Sequence, residues 1–177
     1  MKKAIRFIAA LLALSLAATF TACDNDEDEV PLFYSKSVTS TDYGNIEDGV
    51  GDAVSEYTYT ATLTFTDGSF VLHKKGSVKY SGHTLSFDLD VLKGTYSGGD
   101  PYTDGQTVTL KITQSNDFAQ DTTMITKAKA LIAASSETTF SVTNTEVPLT
   151  ADVRDEESVT VSDLHITVDG ISCLRSR

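Results

Sequence analysis

The side chains best suited to acid–base or metal chemistry are His73, His83 and His165, with Asp88 and Asp90 as a pair of carboxylates two residues apart. On a β-strand, carboxylates at i and i+2 share a face and lie roughly 6 to 7 Å apart, a spacing compatible with the acid and base of a glycosidase. Such enzymes set the two groups on opposite sides of the substrate, so an exposed acidic strand face is the expectation here. The histidines are far apart in the chain and lack the local spacing of metal ligands. His73 falls on the Val71 side of its strand, His83 beside Gly82, and His165 alternates with Asp163, Thr167 and Asp169, so each is expected to be a solvated single histidine. Asp24, Asp26 and Asp28 match the opening of a calcium loop, but Glu29 replaces its turn glycine and Ser35 its bidentate glutamate. No metal or cofactor is expected. None of G-x-S-x-G, S-x-x-K, G-x-x-x-x-G-K-[ST], H-E-x-x-H or C-x-x-C occurs, and the chain is not expected to be an enzyme.

The better binding candidate is the turn-rich stretch from Gly94 to Gly105, where Tyr96, Asp100, Tyr102 and Asp104 stand among glycines. Tyrosines on a loop combine contact area with a polar tip, which suits recognition of a ligand or partner. The alternative is a long hairpin with Tyr96 folded onto the core.

The chain opens with Lys2, Lys3 and Arg6, continues with an apolar stretch from Phe7 to Ala18, and leaves it through Phe20-Thr21-Ala22-Cys23. This is the layout of a secretory signal. With a cysteine at the cut site it resembles the lipobox of bacterial lipoproteins, which implies acylation of Cys23 as a diacylglyceryl cysteine and cleavage before it. Residues 1–22 are then a signal peptide and 23–31 an acidic tether, since five of the six residues from Asp24 to Glu29 are acidic and none is apolar. Residues 32–177 are expected to form one β-rich domain. Acidic runs after a lipidated cysteine act in some bacteria as surface-export signals, while an aspartate directly after it favours inner-membrane retention in others. The outer membrane or cell surface is expected ahead of the inner membrane.

The chain carries 14 basic and 25 acidic side chains; without the three basic residues of the leader the balance is −14. That charge repels nucleic acid and anionic membrane surfaces, so the expected membrane contact is the lipid anchor. With Cys23 acylated no internal disulfide forms, and Cys173, which follows Ile171 on one apolar face, is expected to be a buried, inert thiol.

The elements that must position these groups are strands. Tyr57, Tyr59, Ala61, Leu63 and Phe65 alternate with threonines in a strict period of two, and Asp67-Gly68 then turns the chain into a return strand from Ser69 to Lys75. Gly76 reads as a break, Ser81-Gly82 as the next turn, and Leu85, Phe87, Leu89 and Val91 as the inner face of a strand from Thr84 to Leu92. Val108, Leu110 and Ile112 face inward on another. A helix near 122–134 follows, capped by Asp121 or Thr122, with Met124, Ile125, Ala128, Leu131 and Ile132 as its apolar stripe. Phe140 and Val142, then Leu164, Ile166 and Val168, mark later strands, and a turn or bulge at Gly170 brings Ile171 and Cys173 to the core face.

The expected fold is all-β and mainly antiparallel, a meander barrel or sandwich with one short packed helix. The hairpins from Phe65-Thr66-Asp67-Gly68 through Lys93-Gly94-Thr95-Tyr96-Ser97-Gly98 to Asp104-Gly105-Gln106-Thr107-Val108 resemble those of small lipid-anchored, lipocalin-like β-domains, which implies an antiparallel barrel around an apolar cavity. The expected function is that of a lipid-anchored cell-envelope lipoprotein binding a small apolar or amphipathic ligand. A surface protein-interaction or adhesion module using loops and a sheet edge is the alternative, and an enzyme stands behind both.

Overall fold

Four two-residue turns organise the sheet, each with both central residues at positive φ, the geometry that matches the right-handed twist of flanking strands. They are Asp67-Gly68 (46° and 76°), Ser81-Gly82 (47° and 77°), Asp163-Leu164 (49° and 62°) and Asp169-Gly170 (51° and 79°). The computed structural model describes residues 32–36 and 54–175. The first two turns join β2 (Val54–Thr66), β3 (Ser69–Tyr80) and β4 (His83–Gly98) into a meander; the last two link β8 (Glu157–Thr160), β9 (His165–Val168) and β10 (Ile171–Arg175). Leu164, expected inside with Ile166 and Val168, instead occupies a turn.

Strand β1 (Phe33–Lys36) lies between β2 and β10, antiparallel to both. On the other side of the meander β5 (Thr107–Ser115) pairs with the second half of β4, and its outer edge takes β8 near Thr107 and β7 (Thr150–Ala151) near Ser115. One ladder is parallel: β6 (Thr139–Thr143) runs alongside Thr84–Asp88 of β4, returned to that end of the sheet by α1 (Asp121–Ala134). The fold is therefore all-β and mainly antiparallel with one short helix.

The strands come almost full circle, but the sheet does not close into a barrel. The open seam lies between β8 and β9, where an isolated bridge, Ser162 to His165, stands in place of a ladder. At the far end of this seam the Arg154 guanidinium donates to Asp169 Oδ1 at 2.6 Å and to Asp152 Oδ2 at 2.8 Å, so side chains span a gap that backbone pairing leaves.

The inward face is built by the predicted period of two: Tyr57, Ala61, Leu63 and Phe65 from β2, Leu85, Phe87 and Leu89 from β4, and Val108, Leu110 and Ile112 from β5 are all buried. A bulge corrects the pattern in β4. Leu72 pairs with Leu92 and His73 with Asp90, so Val91 is an extra residue, and beyond it the interior positions shift to Leu92, Gly94 and Tyr96. The helix starts one residue earlier than expected. Its N-cap is Gln120, without a side-chain cap, and the Asp121 carboxylate in the first turn is engaged elsewhere; Met124, Ile125, Ala128 and Ile132 are buried.

Gly76 is not a break but lies within β3, and Gly94 lies within β4, which continues to Gly98. The irregular stretch is thus shorter than Gly94 to Gly105. Both glycines are there for close approach: a Cβ at Gly76 would fall 2.1 Å from the Thr58 carbonyl oxygen and 2.8 Å from the Phe87 ring. One at Gly94 would fall 2.2 Å from the Lys111 carbonyl oxygen and 2.7 Å from the Phe70 ring.

Gly94→Ala should therefore lower stability by about 3 kcal/mol or more, the upper end of the usual cost of overpacking, measured by denaturant unfolding. Gly82→Ala is the control, since a Cβ there meets nothing within 4 Å and only the φ of +77° opposes it, at about 1 to 2 kcal/mol. Equal losses in the two variants would mean that contact with Phe70 and Lys111 does not explain Gly94.

Candidate functional site

Lys74 has the interior parity of β3, alongside Phe70, Leu72 and Val78, and its side chain is 0 % exposed. Sequence reasoning missed it; the available signal was a lysine at an even position in a strand whose even positions are otherwise apolar. The Nζ atom donates to Asp121 Oδ1 and to the Ala119 carbonyl oxygen, both at 3.0 Å, and lies 4.5 Å from the centre of the Tyr59 ring. The Tyr57 hydroxyl donates to the same Oδ1 at 2.9 Å, and the Tyr59 hydroxyl lies 3.5 Å from Oδ2. Burial pushes the Lys74 ammonium below the usual lysine range, and the Asp121 carboxylate pulls against that shift. The pair fastens the first turn of α1 to the inside of β3. Next to it Phe118 packs on Phe87, ring centres 5.5 Å apart.

Cys173, from β10, faces the same interior and is fully buried. Burial pushes its thiol up to about 12, with the charge of Lys74 acting against it. A thiol so poorly ionised is a weak nucleophile.

On the opposite, outward face the expected solvated histidine is instead part of a chain of hydrogen bonds and lysine ion pairs. His73 directly opposes Asp90 across the β3–β4 ladder and Lys75 opposes Asp88. His73 Nε2 lies 2.8 Å from Asp88 Oδ1 and Nδ1 lies 3.0 Å from Asp90 Oδ1; Lys75 holds Asp88 Oδ2 at 2.7 Å and Lys93 holds Asp90 Oδ2 at 2.9 Å. Hydrogen bonds from Lys75 and then His73 outweigh burial to hold Asp88 below the usual carboxylate range. At Asp90 burial acts upward most strongly, but Lys93 and His73 together overcome it. His73 uses nitrogens on opposite sides of its ring, so its two carboxylate partners cannot converge with it on one ion. Each carboxylate oxygen in the chain is already engaged. His83 and His165 are elsewhere, each with Nδ1 near a carbonyl oxygen two residues back, at Ser81 and Asp163.

The four loop candidates are engaged in holding the other end of the interior. Tyr102 stacks on Phe33 with ring centres 5.3 Å apart, and its hydroxyl meets both the amide nitrogen and the carbonyl oxygen of Phe65 at 3.3 Å. Burial raises the Tyr102 phenol above its ordinary value. Tyr96 meets the Phe65 ring edge-on at 5.0 Å. Asp100 accepts from the Tyr102 amide and the Thr103 hydroxyl, which lower its pKa, and Asp104 accepts from the Leu164 amide at 3.3 Å. Arg175 Nη1 donates to the Tyr102 carbonyl oxygen at 2.8 Å, fixing the loop to β10.

Of the hollows among the described residues, one of about 160 Å³ lies beside the start of α1 and is lined by Ser115, Asn116, Gln120 and Arg154 among others. Another of about 560 Å³ lies along the surface segment from Asp152 to Glu156. Both are open and border polar chain, apart from the apolar interior. Arg154 lines both, and Asp152, which lines the second, is held down to about 2, first by Arg154 and then by Ser115. Cys23 and the tether lie outside the described residues.

The buried thiol has a pH signature. Because Cys173 is pushed from 9.0 to about 12 in the folded chain, its contribution is full below pH 9 and is lost as pH rises toward 12. Stability should fall over that range by up to about 4 kcal/mol more in the parent than in Cys173→Ala, followed by chemical denaturation at stepped pH. Asp121→Ala, by leaving buried Lys74 without its partner, should cost about 3 to 5 kcal/mol at neutral pH in the same measurement. No protein-family model, curated protein or solved structure matches this chain, so the reading of its sites rests on their own geometry.

Proposed function

We propose that this chain is a lipid-anchored cell-envelope lipoprotein, held by acylated Cys23 at the outer membrane or cell surface, whose β-body is a protein-interaction module. The observation that carries the second part is the filled interior. Phe33, Tyr57, Phe65, Phe70, Phe87 and Phe118 are all at most 2 % exposed, with Lys74 and Asp121 at one end and Tyr102 at the other, in the space an apolar ligand would need. No helix among the described residues is long and apolar enough to cross a membrane, and the anchor is the attachment the sequence pattern supports.

Strand β6 supports an edge as the docking element. In its parallel ladder the Thr84 amide donates to the Thr138 carbonyl, which turns the backbone groups of Phe140 and Val142 toward β4 and those of Thr139, Ser141 and Thr143 away. Thr143 is satisfied by its own loop, through Glu146 and Val147. Ser141 is left facing outward in the middle of an edge with no strand partner on that side among the described residues, the arrangement on which an extended segment adds by backbone hydrogen bonds.

Proline at an outward-facing edge position removes only the unpaired N–H, so Ser141→Pro should keep the thermal unfolding of the parent. In native mass spectrometry of protein extracted from its own membrane, the parent should carry a second polypeptide that Ser141→Pro lacks. A small apolar molecule retained by both would sink the interaction reading. Separately, Cys23→Ser should lose labelling by a fatty-acid probe; persistent labelling would refute the anchor.

A further inference from the structure

We propose that Lys74 and Asp121 join as an intramolecular amide, a covalent cross-link between β3 and the first turn of α1. Three independent features lead to it. The nucleophile is enclosed: the Lys74 side chain is 0 % exposed and its Nζ sits against the Tyr59 ring, so bulk water does not compete for it. The electrophile is adjacent: Nζ lies 3.0 Å from Oδ1, which puts the carboxyl carbon one bond beyond its hydrogen-bond partner. A hydroxyl is aimed at the same oxygen, since Tyr57 donates to Oδ1 at 2.9 Å and can assist its departure as water.

The step balances within the pair. The ammonium passes one proton across the 3.0 Å hydrogen bond to Oδ1, giving a neutral amine beside a neutral carboxyl group. Burial favours the neutral amine, as the lowered Lys74 value reflects. The Nζ lone pair then attacks Cγ; the Cγ–Oδ1 bond breaks, and Oδ1 leaves as water with a second proton from Nζ, guided by the Tyr57 hydroxyl. An N–C bond forms, one water is released and no oxidant or reductant takes part. The Asp121 side chain is 28 % exposed, which gives the water a way out while the new amide remains inside. Asp121 is the only carboxylate whose oxygen Nζ reaches among the described residues, so the product is a single linkage.

The consequence is mechanical. Residues between the two ends of the bond become a closed loop that holds the helix over the interior even when the surrounding sheet is pulled, a property useful to an anchored module but independent of what that module binds.

Intact-mass spectrometry of the purified full chain tests this directly. The folded parent should be one water lighter than its processed chain is expected to weigh, while Lys74→Arg and Asp121→Ala, processed in the same way, should show no such loss. Tryptic digestion of the parent should yield a branched peptide joining residues 37–75 to 112–127, uncut after Lys74. Tyr57→Phe, which keeps the ring, should form the same bond on the order of a hundredfold more slowly after refolding. A parent of full mass after prolonged incubation in the folded state, with ordinary cleavage after Lys74 on denaturation, overturns the proposal.

Discussion

A lysine ammonium carried into an apolar interior must be met by a partner, because a desolvated charge without one costs more than most single contacts can return. In this chain Lys74 projects from the middle of β3 into the concave side of the sheet, and the Asp121 carboxylate, the Ala119 carbonyl and the Tyr57 and Tyr59 hydroxyls gather around that group. The position of α1 depends on it. The helix has no side-chain N-cap, and the aspartate in its first turn serves the lysine. Phe118, Met124, Ile125 and Ala128 are thereby brought against Phe87 and the neighbouring strands, where they are shielded from water.

The two ends of the interior are closed by different means. At the α1 end a helix and an ion pair do it; at the other, Tyr102 stacks on Phe33 and bonds both polar groups of Phe65, with Arg175 gripping the loop from behind. Along the side, Arg154 and the Ser162–His165 bridge hold β8 near β9 without a continuous ladder. These devices account for a sheet that curls nearly into a ring yet is filled by its own side chains. The interior is thus occupied, and the outer edge of β6 has no strand partner among the described residues.

The hairpins at Asp67-Gly68 and Ser81-Gly82, the alternation from Tyr57 to Phe65 and the inward turn at Gly170 were legible in the sequence, because a two-residue turn and a period of two are decided over a few neighbouring residues. Gly76 and Gly94 misled for the same reason: locally a glycine reads as a break, and only the rings of Phe87 and Phe70 lying over them make a glycine necessary within a strand. The bulge at Val91 was equally invisible, since it exists through the register between β3 and β4. Of the candidate loop, Tyr96, Asp100, Tyr102 and Asp104 read either as recognition chemistry or, for Tyr96, as a residue folded onto the core; Asp100 bonds its own loop, but the partners of the other three, Phe33, Phe65 and Leu164, stand at least 30 residues away in the chain.

By itself the sequence determined a mainly antiparallel β-body, most of its turns and the alternating residues of its core. Tertiary structure alone decided that Lys74 would be interior, that His73 would bridge Asp88 and Asp90, that β6 would run parallel to β4, and that the ring would stop short of closing. Periodicity and turn chemistry are local, whereas desolvation and pairing depend on which distant strands meet; a lysine in an alternating strand takes its meaning from what lies across the interior.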